Sequence, residues 1–172
     1  MQICSVIRFP TKIYSYREQE RIRNGWLQKR LDTILPKVMK RSGIDLWVVL
    51  CKEYNEDPVL TTLVPCAMMT ARRTTMLVYH LQHDDTVRRM AITRPGVGLD
   101  GYYESMWTNP KGYNWDNSKE LMPDGSSVEK KTQPETQFEC LNRVIRECNP
   151  NRIGINRSDE FAFADGLSST LY

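Results

Sequence analysis

The chain has 172 residues, of which 40% are hydrophobic and 26% charged, the composition of a single globular domain. Its 24 Lys and Arg against 21 Asp and Glu leave a formal net charge of +3, which is too small to indicate a nucleic acid or an anionic membrane as partner. No apolar run approaches the roughly 20 residues that cross a bilayer. No uninterrupted apolar stretch of about 7–15 residues follows Met1 as in a secretion signal. We therefore expect a cytoplasmic protein without a membrane partner.

Five cysteines are present, an odd number, and no two of them have the C-x-x-C spacing of a zinc ribbon. A disulfide framework is not indicated, and reduced, half-buried or core thiols are favoured. The five are Cys4, Cys51, Cys66, Cys140 and Cys148.

The first predicted element is a helix over residues 16–42, because apolar side chains recur there at spacings of three and four. Pro36 lies inside this pattern and is expected to kink or interrupt the helix. Gly43 supplies a C-terminal stop. The almost continuous apolar run of residues 44–51 then predicts a strand buried on both faces.

The middle of the chain predicts a short helix and a hairpin. Asp57 before Pro58 has the pattern of an N-cap followed by proline at the first helical position, which predicts a helix over residues 58–64. Residues 74–81 and 87–94 are two strands joined by residues 82–86 as a β-hairpin.

The last third contains turns, a loop and a second long helix. Residues 95–101 form a glycine-rich turn region, residues 102–107 a short helix or strand, and residues 108–133 a long exposed loop. Thr132 and Glu135 have capping-box spacing, which predicts the start of a helix. Its predicted apolar face consists of Phe138, Leu141, Val144, Ile145 and Cys148.

A short strand over residues 152–157 follows, and Asp165 has the position of an N-cap for one more helix. Only about two turns of that helix precede Tyr172, too few for it to be stable alone. We therefore expect the domain to come from a longer protein. The order of elements predicts an α/β fold with a mixed β-sheet flanked by helices, because a hairpin is antiparallel while helix-linked strands can be parallel.

Charged side chains gather where the first strand ends. Glu53, Glu56 and Asp57 follow that strand, at an edge where α/β sheets usually bind ligands, and paired carboxylates can perform acid–base or metal chemistry. The alternative is helix capping by Asp57 and solvated charges in the loop. Arg72 and Arg73 precede the next strand and can form a basic site for a carboxylate or an exposed strand face.

The two histidines, His80 and His83, are followed by Asp84 and Asp85 in a pattern that can be drawn as a metal site. Residues three apart on a strand point to opposite faces, so a solvated hairpin end is favoured. The sequence contains no G-x-G-x-x-G, Walker or G-x-S-x-G motif.

Aromatic side chains are dense between residues 102 and 115. Two interpretations of this group are equally supported: the rings form an interface with a partner, or they pack in the core of the domain. The group consists of Tyr102, Tyr103, Trp107, Tyr113 and Trp115.

Three separated stretches resemble the N-terminal domain of the creatinase, prolidase and aminopeptidase P family. The first, residues 30–47, reads R-L-D-x-I-L-P-x-V-M-x-x-x-G-I-D-L-W. The second is Glu53-Tyr54-Asn55-Glu56-Asp57-Pro58, and the third runs from Ile153-Gly154-Ile155-Asn156 to Leu167-Ser168.

The resemblance covers residues 21–172, with residues 1–20 as an extension. It implies a ribonuclease-H-like α/β layer that is itself non-catalytic. Two divalent metal ions, such as Mn, Co or Zn, are expected in a catalytic domain beyond Tyr172 that cleaves Xaa-Pro peptides. The resemblance also implies a homodimer in which the N-terminal domain shapes access to the active site.

The resemblance also gives candidate residues for the contact with a partner's active site and for the dimer interface. Those expected to reach a partner's active site are Glu53, Tyr54, Asn55, Glu56, Asp57, Arg72 and Arg73. Those expected at the interface are Tyr102, Tyr103 and Trp107.

Two other classes of protein stay open. One is a stand-alone binding or scaffold module that uses the aromatic surface of residues 102–115. The other is an autonomous metal-dependent hydrolase that uses His80, His83 and the nearby Asp residues.

Overall fold

The computed structural model describes residues 13–111, 119–121, 126–129 and 134–157. Four helices and seven strands lie in these ranges. The helices are α1 (Tyr16–Lys29), α2 (Leu35–Ser42), α3 (Leu60–Leu63) and α4 (Gln137–Cys148), with a π-helical turn, Arg30–Ile34, joining α1 to α2. The strands are β1 (Leu46–Lys52), β2 (Thr74–Leu81), β3 (Val87–Ile92), β4 (Glu104–Ser105), β5 (Lys119–Leu121), β6 (Ser127–Glu129) and β7 (Ile153–Ile155).

Five strands form a mixed sheet in the order β4-β3-β2-β1-β7. The β1–β2 and β2–β3 pairs are antiparallel, whereas β7 is parallel to β1 and β4 is parallel to β3. The strand that follows α4 therefore enters parallel to β1, while the hairpin is antiparallel. The predicted α/β fold with a mixed sheet flanked by helices is confirmed.

A hydrophobic cluster covers each face of the sheet. On one face, side chains of α1, the π-helical turn and α2 pack against Val49 and Cys51 of β1 and against Leu77 and Tyr79 of β2. On the other face, Cys140, Val144 and Cys148 of α4 pack in a cluster with alternate residues of β1, β2 and β3. Successive residues of β1 join opposite clusters, so the prediction of a strand buried on both faces is confirmed.

The first helix is interrupted as predicted, but the interruption precedes Pro36. Pro36 has no N–H group, so it cannot close an α-helical turn. The helical turn over Arg30–Ile34 contains one residue more than an α-helical turn, and the N–H of Leu35 donates to the carbonyl of Arg30. Pro36 is then the second residue of α2, a position that requires no donor. Gly43 ends α2 in the left-handed conformation, at φ 65°.

Two predicted helix starts are wrong by a few residues. Asp57 does not cap a helix that begins at Pro58; its Oδ1 accepts from the N–H of Val59 at 2.8 Å, and α3 begins only at Leu60. Helix α4 begins at Gln137, with Thr136 as N-cap and Glu139 completing the capping box. Thr132 lies outside the described residues.

The backbone around Glu135 explains the shifted start of α4. Glu135 and Pro110 form a β-bridge, and the Glu135 carbonyl accepts from the indole of Trp107 at 2.7 Å. These contacts keep Glu135 extended. The helix is therefore capped by the second T-x-x-E pattern, Thr136 with Glu139, and not by the first, Thr132 with Glu135. On α4 the buried residues are Cys140, Val144 and Cys148, whereas Phe138, which was predicted to be on the core face, is 47% exposed.

The predicted loop of residues 108–133 contains regular structure that the composition did not indicate. Strands β5 and β6 pair as a two-stranded antiparallel sheet, separate from the main sheet. The helix predicted after Asp165 lies outside the described residues. No helix in the described part of the chain is long and apolar enough to cross a membrane.

Candidate functional site

The antiparallel pairing of β1 with β2 brings two predicted groups of residues to one edge of the sheet. Lys52 at the end of β1 lies opposite Thr74 at the start of β2. The turn of residues 53–57 therefore adjoins the segment of residues 71–73. We call these two segments together the access edge.

Backbone N–H groups form the hydrogen bonds that join the two segments of the access edge. The N–H of Glu53 donates to the carbonyl of Arg73 at 2.7 Å, and the N–H of Arg73 donates to the Glu53 carboxylate at 3.3 Å. The N–H of Ala71 donates to Oε1 of Glu56 at 3.1 Å. Both carboxylates bind backbone amides, so their structural work is to hold the two segments together.

Two non-glycine residues of the access edge have left-handed backbone conformations. Tyr54 has φ 70° and Arg73 has φ 56°. Both side chains are exposed, Tyr54 at 91% and Arg73 at 74%. Such conformations cost of order 1–3 kcal/mol each and concentrate at functional sites.

Asp57 is the buried member of the predicted carboxylate group, at 4% exposure. Its Oδ2 accepts from the side-chain amide of Asn156 at 2.5 Å, and the Asn156 side-chain carbonyl accepts from the Trp47 indole at 2.8 Å. This chain of bonds connects the start of β1, the access edge and the end of β7. Sequence reasoning did not identify the role of Asn156, because its partners are 99 and 109 residues away.

The described cysteines are free thiols, and two of them are held protonated. Burial raises the pKa of the Cys51 thiol to about 11 and that of the Cys140 thiol to about 12. Neither is a thiolate at neutral pH, so neither is an activated nucleophile.

Two of the predicted interface aromatics lie inside the domain. Tyr103 is 9% exposed; its hydroxyl donates to the Leu63 carbonyl and lies 2.9 Å from the hydroxyl of Tyr79. Trp107 is 2% exposed and its indole donates to Glu135. Their apolar surface is used in the core instead of being presented to a partner. Tyr102 is half-buried, and Tyr113 and Trp115 lie outside the described residues.

The two histidines do not converge on a common centre. His80 Nδ1 lies 2.9 Å from the side-chain amide of Gln82, and burial lowers the His80 pKa. His83 is exposed in the hairpin turn. Within the described ranges, no group of three His, Cys, Asp or Glu side chains is placed to hold a metal ion.

Neither the known protein families, nor the curated proteins, nor the solved structures give a match to this chain. The access edge combines a rigid hydrogen-bonded base with exposed aromatic and cationic side chains, an arrangement suited to contacting another molecule.

Proposed function

We propose that this chain is the non-catalytic N-terminal domain of a metallopeptidase similar to Xaa-Pro aminopeptidases and dipeptidases. Its role would be to form a homodimer and to shape the access of peptide substrates to the active site. The observation that supports this proposal is the hydrogen-bonded chain Trp47–Asn156–Asp57. One of these residues comes from each of the three stretches that resemble the creatinase, prolidase and aminopeptidase P family, and hydrogen bonds join the three residues.

The sheet topology supports the same proposal. The family resemblance implies a mixed-sheet, ribonuclease-H-like layer. The described sheet is mixed, since β1, β2 and β3 form an antiparallel meander while β7 follows α4 and joins β1 in parallel. Because one fold serves many functions, this similarity supports the fold of the domain more than its activity.

The access edge is the surface that we assign to the catalytic domain of the partner. Tyr54, Arg72 and Arg73 are exposed there on backbone fixed by Glu53 and Glu56. The two divalent metal ions of such an enzyme, for example Mn, Co or Zn, belong in this proposal to the catalytic domain and not to the chain described above.

The stand-alone binding module is the weaker candidate. It relies on the aromatic surface of residues 102–115, and two of those rings, Tyr103 and Trp107, are buried. No observation in the described residues favours the autonomous hydrolase.

The gene sequence beyond the codon for Tyr172 tests the proposed family. We expect an open frame for a second domain of roughly 200–300 residues, with two Asp, one His and two Glu as metal ligands. A stop codon directly after Tyr172 would contradict the proposal.

The role of the access edge is tested in the full-length enzyme by combining Arg72→Ala with Glu56→Ala. We expect a lower kcat/KM for Xaa-Pro peptides, because Arg72→Ala removes an exposed positive charge and Glu56→Ala removes the carboxylate that accepts from the N–H of Ala71. The matched control is Arg41→Ala, an exposed arginine at the end of α2. Unchanged kcat/KM together with unchanged dimerisation in the double variant would refute the assignment.

A further inference from the structure

An open pocket lies between the loop that precedes β2 and the turn that follows β3. Its volume is about 550 Å³. Met68, Met69 and Val97 supply apolar walls, and Gly96 and Gly98 form one side. Among the described residues that line the pocket, Arg72 is the one that carries a charge.

The glycine side of the pocket requires glycine. Gly96 has φ +73° and Gly98 has φ +84°, conformations that residues with a Cβ rarely adopt. A Cβ added at Gly96 would meet no atom within 4 Å, and one added at Gly98 would lie 3.9 Å from Ala67 Cβ. The two glycines therefore add no side chain to the pocket.

Arg72 supplies a cation that the described residues do not neutralise. Its backbone N–H donates to Thr75, but its guanidinium forms no hydrogen bond or ion pair with the described part of the chain. The nearby carboxylates are engaged elsewhere, since Glu56 accepts from Ala71 and Glu53 accepts from Arg73. A guanidinium matches the two oxygens of a carboxylate, which it can bind through two parallel hydrogen bonds.

The apolar surface continues beyond this pocket. Met68 and Met69 also wall a second pocket of about 430 Å³, which extends to Tyr16 at the start of α1. Met69 is 82% exposed between the two pockets. Methionine side chains adapt to ligands of different shape, so this surface fits a chain of residues better than a single rigid molecule.

We propose that the pocket binds the carboxyl terminus of a peptide. The terminal carboxylate pairs with Arg72, the last side chain packs against Met68, Met69 and Val97, and the preceding residues extend toward Tyr16. The inference rests on the proposed function for the choice of a peptide as the molecule that carries the carboxylate.

The test is an NMR titration of the whole 172-residue chain, with labelled methionine methyl groups and backbone amides. The ligands are acetyl-Ala-Pro-Leu with a free carboxyl terminus and the same peptide with a C-terminal amide. We expect the free acid to shift the signals of Met68, Met69, Gly96 and Gly98. The amide should bind about tenfold more weakly or worse, because it cannot form the charge-assisted pair.

Three variants test whether binding depends on the guanidinium of Arg72 or only on the net positive charge of the chain. Arg72→Gln should weaken binding of the free acid about tenfold or more, and Arg72→Lys should restore part of it. Arg41→Gln, an exposed arginine on α2, should bind as the unaltered chain does. Because Arg72 is exposed, these substitutions are expected to leave the fold intact, and the amide spectrum checks this directly.

Three results would overturn the inference. They are equal affinity for the free acid and the amide, unchanged affinity in Arg72→Gln, and displacement of the peptide by an equal concentration of inorganic phosphate, which would indicate a general anion site. The titration does not depend on the gene sequence beyond Tyr172. A failure of the pocket and a failure of the peptidase proposal are therefore distinguishable.

Discussion

At the scale of single residues, the side chain of Asn156 links two residues that are distant from it in the sequence, and no sequence motif indicates these contacts. Its amide accepts from Trp47 and donates to Asp57, and Asp57 in turn accepts from the N–H of Val59. The Asp57 carboxylate is buried at 4% exposure, so each of its hydrogen bonds offsets part of the cost of removing it from water. A buried carboxylate that loses a donor is destabilising, because its desolvation is then uncompensated.

The first prediction concerns this amide. Asn156→Ala removes the donor to Asp57 and the acceptor for Trp47, and we expect the free energy of unfolding to fall by about 2–4 kcal/mol. Urea unfolding followed by circular dichroism measures the change. The control is Asn142→Ala on the exposed side of α4, which should alter stability by no more than about 0.5 kcal/mol. Equal effects of the two substitutions would contradict the role assigned to Asn156.

The sequence predicts the position of Asp57 but not its partners. Asp57 follows a buried strand and precedes a proline, a pattern that predicts an N-cap. The predicted cap is wrong, but the side chain does accept from the nearby N–H of Val59. Its contact with Asn156 depends on β7 joining β1 in parallel, a long-range pairing with no local signal. Likewise, the apolar character of Tyr103 and Trp107 is evident from the sequence, but their burial is not. It depends on the segment around β4, which places Tyr103 in the cluster with α1 and α2 and Trp107 in the cluster with α4.

At the scale of elements, the link from α2 to β1 depends on a single left-handed residue. Gly43 has φ 65°, and its N–H donates to the carbonyl of Lys40 at 3.0 Å, which ends the helix. The N–H of Ile44 then donates to the carbonyl of Met39 at 3.1 Å, completing the C-terminal cap. The chain is thereby turned directly into β1.

The second prediction compares two glycines of the same helical segment. Gly43→Ala should lower the free energy of unfolding by about 1 kcal/mol, because a Cβ is strained at φ 65° and would lie 3.2 Å from Arg152 Nη1. Gly25→Ala, within α1, meets no atom within 4 Å and should raise it by about 0.5–1 kcal/mol. Thermal unfolding of both variants gives the two signs. Two shifts of the same sign would show that the backbone conformation at residue 43 does not decide whether an alanine stabilises or destabilises the protein.

The elements with strong local periodicity or turn chemistry were predictable, and the others were not. The bounds predicted for the β2–β3 hairpin are nearly correct, because two short runs rich in apolar residues flank a polar turn. The start of α4 was misplaced because Thr132 and Thr136 have equivalent capping spacing, and only the contacts of Glu135 with Pro110 and Trp107 distinguish them. The β5–β6 pair was missed because its strands have only three residues each.

At the scale of the whole molecule, one sheet serves two hydrophobic clusters. Neighbouring residues of β2 belong to opposite clusters, with Met76 facing α4 and Leu77 facing α1 and α2. Both side chains are fully buried. Since neither helical layer has a core without the sheet, we expect the two layers to unfold in one transition.

The third prediction tests this coupling with a substitution on one face only. Met76→Ala leaves a cavity beneath α4 and should lower the free energy of unfolding by about 2–5 kcal/mol. Amide signals of α2, on the opposite face, should lose intensity at the same lowered urea midpoint as those of α4. Met69→Ala, which removes an 82% exposed side chain of the same type, should leave the midpoint nearly unchanged. If α2 retained the original midpoint while α4 unfolded early, the two layers would be independent units. In that case, when the α4 layer unfolds, β1 and β2, which carry the access edge, would keep packing only against α1 and α2.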